Sequence, residues 1–196
     1  MMNEWISAGQ ILALLAASPL LESFSIGVSD VGSSLIGSPS TGTPIQLPNL
    51  KKLDLDGIAV EVVGNILPFI RAPNCEVFQL DAFRWNDDPF DATEFLTRSL
   101  GHFDAILRSI LYFHSSSQLS LFQDHAQWLC KPPKKFDAQY FSIDIPIDSS
   151  VPWVADVLGQ GVDPAHRLTV FFRDVNAENI TGLKRLSLLH NVQTLQ

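Results

Sequence analysis

Asp54 and Asp56 stand two residues apart in Leu53-Asp54-Leu55-Asp56, and Asp81 ends a similar run, Gln79-Leu80-Asp81. Residues two apart on a strand leave the same face, so these carboxylates meet if the two runs lie side by side. Three neighbouring carboxylates can bind a cation or divide acid and base roles between them. The plainer reading is structural: they form the solvent side of strands whose Leu53 and Leu55 face inward, and no glycine-bearing loop completes a calcium site. A second set, Asp87-Asp88 with Asp91 and Glu94, also reads as a metal loop or, more simply, as the acidic start of a helix. Phe83, Trp85 and Phe90 beside it suit a ligand cradle, or packing under a long connection.

Other chemistry is hard to find. The five histidines, His102, His114, His125, His166 and His190, are dispersed without metal-ligand spacing. Cys75 and Cys130 form no Cys-x-x-Cys pair, which removes a zinc signature and a disulfide framework and suits a reducing compartment, cytoplasm or nucleus. Nucleophile elbow, phosphate loop, dinucleotide fingerprint and His-Glu-x-x-His are all missing. No cofactor and no metal are expected.

Charge narrows the partners. A net charge of −8 argues against nucleic acid, whose phosphates are held by clustered Lys and Arg. The short basic cluster Lys131-Pro132-Pro133-Lys134-Lys135 reads as a solvated loop. The apolar stretch 11–21 falls short of the roughly 20 residues that span a bilayer, and no basic residue precedes it as in a signal peptide. No membrane partner is expected.

What must position these residues is a repeat. Pro-x-φ-x-x-φ-x-φ, with φ apolar, occurs at Pro19 to Ile26, Pro48 to Leu55 and Pro73 to Leu80. Units that recur like this cannot bury an apolar face alone and must stack. Weaker copies without proline centre on Leu119, Phe141, Leu168 and Leu186. Helical patterns lie between: 5–17 with Ile11, Leu14 and Leu15; Val60, Val63, Leu67 and Ile70, shortened or kinked at Pro68; Phe103, Ile106, Leu107, Ile110 and Leu111; and a helix capped by Ser150 that buries Val154, Val157 and Leu158. Residues 29–46, rich in Gly, Ser, Thr and Pro, read as a flexible loop. The fold class expected is α/β: an irregular leucine-rich-repeat solenoid with an inner parallel sheet and outer helices, as one domain over 1–196.

The runs Leu47-Pro48-Asn49-Leu50-Lys51-Lys52-Leu53-Asp54-Leu55 and Leu67-Pro68-Phe69-Ile70-Arg71-Ala72-Pro73-Asn74-Cys75-Glu76-Val77-Phe78-Gln79-Leu80 carry a resemblance. They resemble the leucine-rich-repeat region of fungal F-box-like proteins, especially the divergent families of mushroom-forming fungi. The similarity is best over 11–83 and looser over 84–196. It implies repeats that receive a protein substrate for a ubiquitin ligase. No Leu-Pro-x-Glu-φ-φ segment of F-box type precedes the repeats, so ligase docking carries over to no residue here. The chain starts with a helix and stops inside a strand, which reads as a fragment or a diverged copy. Uncapped ends of that kind would favour self-association.

Two function classes remain open: a protein-interaction module with no chemistry of its own, and a small α/β enzyme or ligand-binding domain without a recognisable motif. For the first, strand alternation names the binding face. If Leu53, Phe78, Leu119, Phe141, Leu168 and Leu186 point inward, then Lys52, Asp54, Asp56, Val77, Gln79, Asp81, Gln118, Ser120, Phe122, Tyr140, Ser142, Asp144, Arg167, Thr169, Phe171, Arg185, Ser187 and Leu189 point out. That face runs from acidic through aromatic to basic. Tyr140 and Phe171 are the expected anchors for a protein partner.

Overall fold

The three proline phrases build the same turn. In Ser18-Pro19-Leu20-Leu21, Leu47-Pro48-Asn49-Leu50 and Ala72-Pro73-Asn74-Cys75, the fourth N–H donates to the first carbonyl at 3.1, 3.2 and 3.1 Å. Proline suits the second position, where its ring presets φ. Each turn then docks on the one before. The N–H groups of Lys51 and Lys52 both donate to Glu22 O (2.7 and 3.1 Å), and those of Glu76 and Val77 both donate to Lys51 O (2.8 and 2.9 Å). Asn74 adds a bond from its Nδ2 to Pro48 O at 2.8 Å. The repeat seen in sequence is thus a repeat in backbone hydrogen bonding.

The computed structural model describes residues 7–27, 43–83, 107–108, 110–111, 114, 116–122, 125–130, 140–146, 150–159, 166–173 and 192–195. Their strands are β1 (Ser23–Gly27), β2 (Ile45–Gln46), β3 (Lys52–Ala59), β4 (Ile70–Arg71), β5 (Val77–Phe83), β6 (Ser116–Leu121), β7 (His125–Cys130), β8 (Tyr140–Pro146), β9 (Arg167–Phe172) and β10 (Val192–Leu195). The helices are α1 (Ala8–Ala16), α2 (Val60–Ile66) and α3 (Ser150–Gly159), with further helical residues among 107–111. Eight strands form one open sheet in the order β1-β3-β5-β8-β7-β6-β9-β10, and β2 pairs with β4 beside it. The architecture is mixed α/β with a mostly parallel central sheet.

Strand order departs from a simple sequential stack. β1, β3 and β5 follow one another in parallel, but β8 comes next, and β7 runs antiparallel to both β8 and β6. The cause is the short link after β6. Phe122 N donates to His125 O at 2.9 Å, which closes a hairpin, whereas a parallel return needs a crossover of a dozen or more residues. β9 therefore joins β6 on its far side, and β10 follows in parallel. Leu119 and Leu168 are both buried as expected, yet they are not partners: Leu119 pairs with Val170 and Trp128, and Leu168 with Ser117.

Helix ends follow local chemistry. Ser7 caps α1, its Oγ accepting from Gln10 N at 3.2 Å while Gln10 Oε1 accepts from Ser7 N at 2.7 Å. α2 stops at Ile66 because Pro68 has no N–H to give; Leu67–Phe69 form a single 3-10 turn, and Ile70 opens β4 instead of extending the helix. In the stretch expected to be loop, Ile45–Gln46 form β2 against β4. α3 buries Val151, Val154, Val157 and Leu158. Phe103 and Ile106, the loop 84–91, the basic cluster 131–135, residues 29–42, and Arg185 with its neighbours lie outside the described residues.

One sheet face is the core. Leu53, Leu55, Phe78, Leu80, Phe141, Ile143, Trp128, Cys130, Leu119, Leu121, Leu168 and Val170 are all buried on it, in one cluster with Leu107, Ile110, Leu111 and the inner side of α3. The opposite face carries the polar side chains of β3, β5 and β8; Ser120 on β6, expected to point out with them, is instead buried at 4% exposure. Among the described residues no helix covers that face.

Candidate functional site

Period-two alternation carries Asp54 and Asp56 on β3, Gln79 and Asp81 on β5, Ser142 and Asp144 on β8, and Gln127 on β7 to the polar face. Register aligns them: Asp54 lies opposite Gln79, Gln79 opposite Ser142, Asp81 opposite Asp144, and Asp144 opposite Gln127. Together with the edges of Leu55 and Leu80 they line a groove of about 290 Å³. β3 contributes one more device. Its register shifts between Leu55 and Ile58, and Gly57 takes φ 60°, a left-handed conformation open to glycine at no steric cost. The extra residue returns Ile58 to the core while Asp56 stays outside.

Partners divide the four carboxylates. Lys52 Nζ lies 2.8 Å from Asp54 Oδ2, and Ser25 Oγ donates to the same oxygen at 3.5 Å. Gln127 Nε2 donates to Asp144 Oδ2 at 3.3 Å, and His125 Nε2 stands 3.9 Å from Oδ1. Asp56 and Asp81 have no salt bridge among the described residues. Loss of hydration between the groove walls, reinforced by the Asp56 carboxylate, raises Asp81 above the ordinary 3.8; His125 opposes the shift.

That shift has a testable sign. The folded state holds the Asp81 proton more tightly than the unfolded chain does, so lowering the pH through the raised folded value adds stability. The gain is complete below the unfolded value, and the penalty is fully present at neutral pH. Asp81→Asn should therefore be more stable than the parent at pH 7, by less than about 1 kcal/mol because the side chain is largely solvated. The gap should close as the pH falls below the ordinary carboxylate value. Thermal melts of both proteins across that range check it; a variant less stable at pH 7 would show that the charged form is held by a favourable contact.

Beyond the groove the face changes character. Phe122 stacks on His125 with ring centroids 4.3 Å apart and planes at 10°. On β9, Phe171 is half-buried under the Arg173 guanidinium, 5.4 Å from the ring centroid, and Arg167 is exposed at the near end of the strand. The structure thus brings Asp54, Asp56, Gln79, Asp81 and Asp144 into one groove, puts Phe122 just past the end of β6, and sets Arg167 and Phe171 apart on β9. Tyr140 starts β8 opposite Val77, three strands from β9; its side chain, like Arg185, lies outside the described residues. Sequence pattern does not reach Gln127 and His125, because they lie on β7, a strand that no proline phrase announces. The alternation of buried Ala126, Trp128 and Cys130 with His125, Gln127 and Leu129 is the available signal.

Two other clusters do not compete for chemistry. Ser117 Oγ lies 2.9 Å from His166 Nε2, a Ser–His pair, but Ser117 is 6% exposed and His166 1%, on the covered face. His166 Nδ1 is 2.8 Å from the His114 carbonyl, which only accepts, so Nδ1 bears the proton and Nε2 accepts from the serine. Ser117 in turn accepts from Trp128 Nε1 at 3.2 Å, which completes a core network rather than a nucleophile. Burial pushes the thiols of Cys75 and Cys130 up to about 11 and about 12, leaving both unreactive at neutral pH. Among the described residues no three His, Cys, Asp or Glu side chains are placed to hold a metal ion, and no helix is long and apolar enough to cross a membrane. Comparisons with protein-family models, curated proteins and solved structures gave no match.

Proposed function

We propose that the chain is a protein-interaction module whose polar sheet face receives a protein partner, in the manner of the substrate-recognition repeats of F-box-like proteins, and that it performs no chemistry itself. The observation that supports this is the position of the groove. It lies across the middle of β3, β5, β8 and β7, on an open face, not in a crevice at the carboxyl ends of the strands where α/β enzymes hold small ligands. Its carboxylates suit cationic side chains of the partner. Phe122 and Phe171, ringed by polar groups, suit the apolar anchors of an interface. The irregular leucine-rich array remains the model for β1, β3 and β5, with the β6–β7–β8 hairpins inserted after it.

The alternative, a small α/β enzyme or ligand-binding domain, draws on the break in strand order at β8, since such breaks often mark ligand sites. A selection separates the two. Peptides displayed in a random library are enriched on the parent chain and counter-screened on the double variant Asp56→Lys/Asp81→Lys, whose changes fall on exposed positions. Peptides that bind the parent and lose the variant support the proposal. Peptides that bind both equally, or no enrichment at all, overturn it.

A further inference from the structure

An ionisable base stands at the wall of the acidic groove. His125 opens β7, and its Nε2 lies 3.9 Å from Asp144 Oδ1, while Gln127, two residues on, holds the other oxygen of the same carboxylate at 3.3 Å. Phe122 stacks on the imidazole at 4.3 Å with the planes 10° apart, and the Phe122 N–H donates to His125 O across the turn, so the ring is held beside the groove from its other side. The side chain is 38% exposed, open enough to exchange protons with solvent.

What faces His125 is acid. β8 contributes Asp144, and β5, one strand further, contributes Asp81, whose proton affinity His125 lowers. β6, the neighbour on the other side, holds no ionisable side chain. Asp124, next to it in the chain, lies outside the described residues, and Arg173 sits over Phe171 at the end of β9, beyond β6. Lys52, the cation at the opposite end of the groove, is engaged with Asp54. Histidine is the side chain whose charge ordinarily changes between about pH 5 and 8. Acidification across that range places a positive charge beside two of the carboxylates that line the groove.

We propose that His125 makes the groove pH-sensitive: the groove takes up a cationic segment of its partner at neutral pH and releases it on acidification, when the protonated ring stands where the guest's charge would be neutralised, beside Asp144 and Asp81. The inference rests on the reading of this face as a protein-binding surface. Its sign follows from geometry. A guest cation between Asp81 and Asp144 lies about one strand spacing, roughly 5 Å, from the imidazole, and two like charges at that distance repel, whereas a neutral ring does not oppose the guest. Linkage makes the effect reciprocal: the guest must make His125 harder to protonate by the same factor as protonation weakens the guest. Asp81, with its raised folded value, loses charge in the same direction, so the two contributions have to be separated.

The probes are the peptides selected on the parent chain and lost on Asp56→Lys/Asp81→Lys. At fixed salt their affinity for the parent should fall about tenfold between about pH 7.5 and about pH 5.5. His125→Gln carries no charge at either pH and should lose most of that fall; what remains in it belongs to Asp81. In the parent, the titration midpoint of the His125 ring protons, followed by nuclear magnetic resonance, should move down by about one pH unit when peptide is bound, the equivalent of a tenfold coupling. Equal parent affinity at the two pH values, an equally large fall in His125→Gln, or an unmoved His125 midpoint overturns the inference and leaves the groove a binding surface. Peptides with no affinity for the parent at either pH overturn that reading, and the inference with it.

Discussion

Trp128→Ala should cost about 3–5 kcal/mol and leave a protein that unfolds at far lower urea than the parent. Trp128 is 1% exposed and is among the largest fully buried side chains. Its ring meets Phe141 edge-on at 4.8 Å and Trp153 at 5.6 Å, so truncation opens a cavity between β7, β8 and α3 that no neighbour can fill without leaving its own contacts. Against a typical stability of 5–15 kcal/mol, roughly, that loss is a large fraction of the whole. Trp128→Phe keeps most of the volume and should cost visibly less. A midpoint for Trp128→Ala near that of the parent would mean that β7 is not part of the packed sheet, and the strand order would fall with it.

Ser117→Ala should be the next most damaging change, at roughly 2–4 kcal/mol, although it removes one oxygen. Ser117 serves two buried groups at once, accepting from Trp128 Nε1 and donating to His166 Nε2. Without it both lose a partner in a place that water does not reach, and an unmade buried hydrogen bond costs more than a made one contributes. Ser117→Thr retains the hydroxyl but must fit an extra methyl, so it should recover part of the loss. Denaturation of both variants checks this. A cost within experimental error for Ser117→Ala would show that solvent reaches the network and that the Ser–His pair is open to the outside after all.

Much of the fold is written in local pattern. The proline at the head of each phrase makes the turn, and the φ positions after it become the buried sides of β1, β3 and β5. Alternation likewise carries Asp54, Asp56, Gln79, Asp81 and Asp144 to one face, because a side chain's face depends on parity alone. Neighbourhood is a different matter. Nothing in the run Tyr140 to Pro146 says that β8 lies beside β5, since that depends on the β6–β7 hairpin on its other side. Reading chain order as sheet order therefore put Tyr140 and Asp144 between aromatic and basic strands; in the sheet they join the acidic end. His125 and Gln127 were lost with β7, whose phrase carries no proline to announce it. The Ser117, Trp128 and His166 network is built from residues far apart in the chain, and no spacing rule reaches it.

The claim that the polar face recognises a protein is tested most directly by calorimetric titration of a library-selected peptide into the parent chain, Phe122→Ala and Phe171→Ala. Truncating an interface anchor costs about 2 kcal/mol or more, so each variant should bind about 30-fold more weakly while its circular dichroism spectrum and melting temperature stay those of the parent. Unchanged affinity in both would contradict the account and move recognition off this face, to a segment such as the acidic and aromatic stretch 84–91.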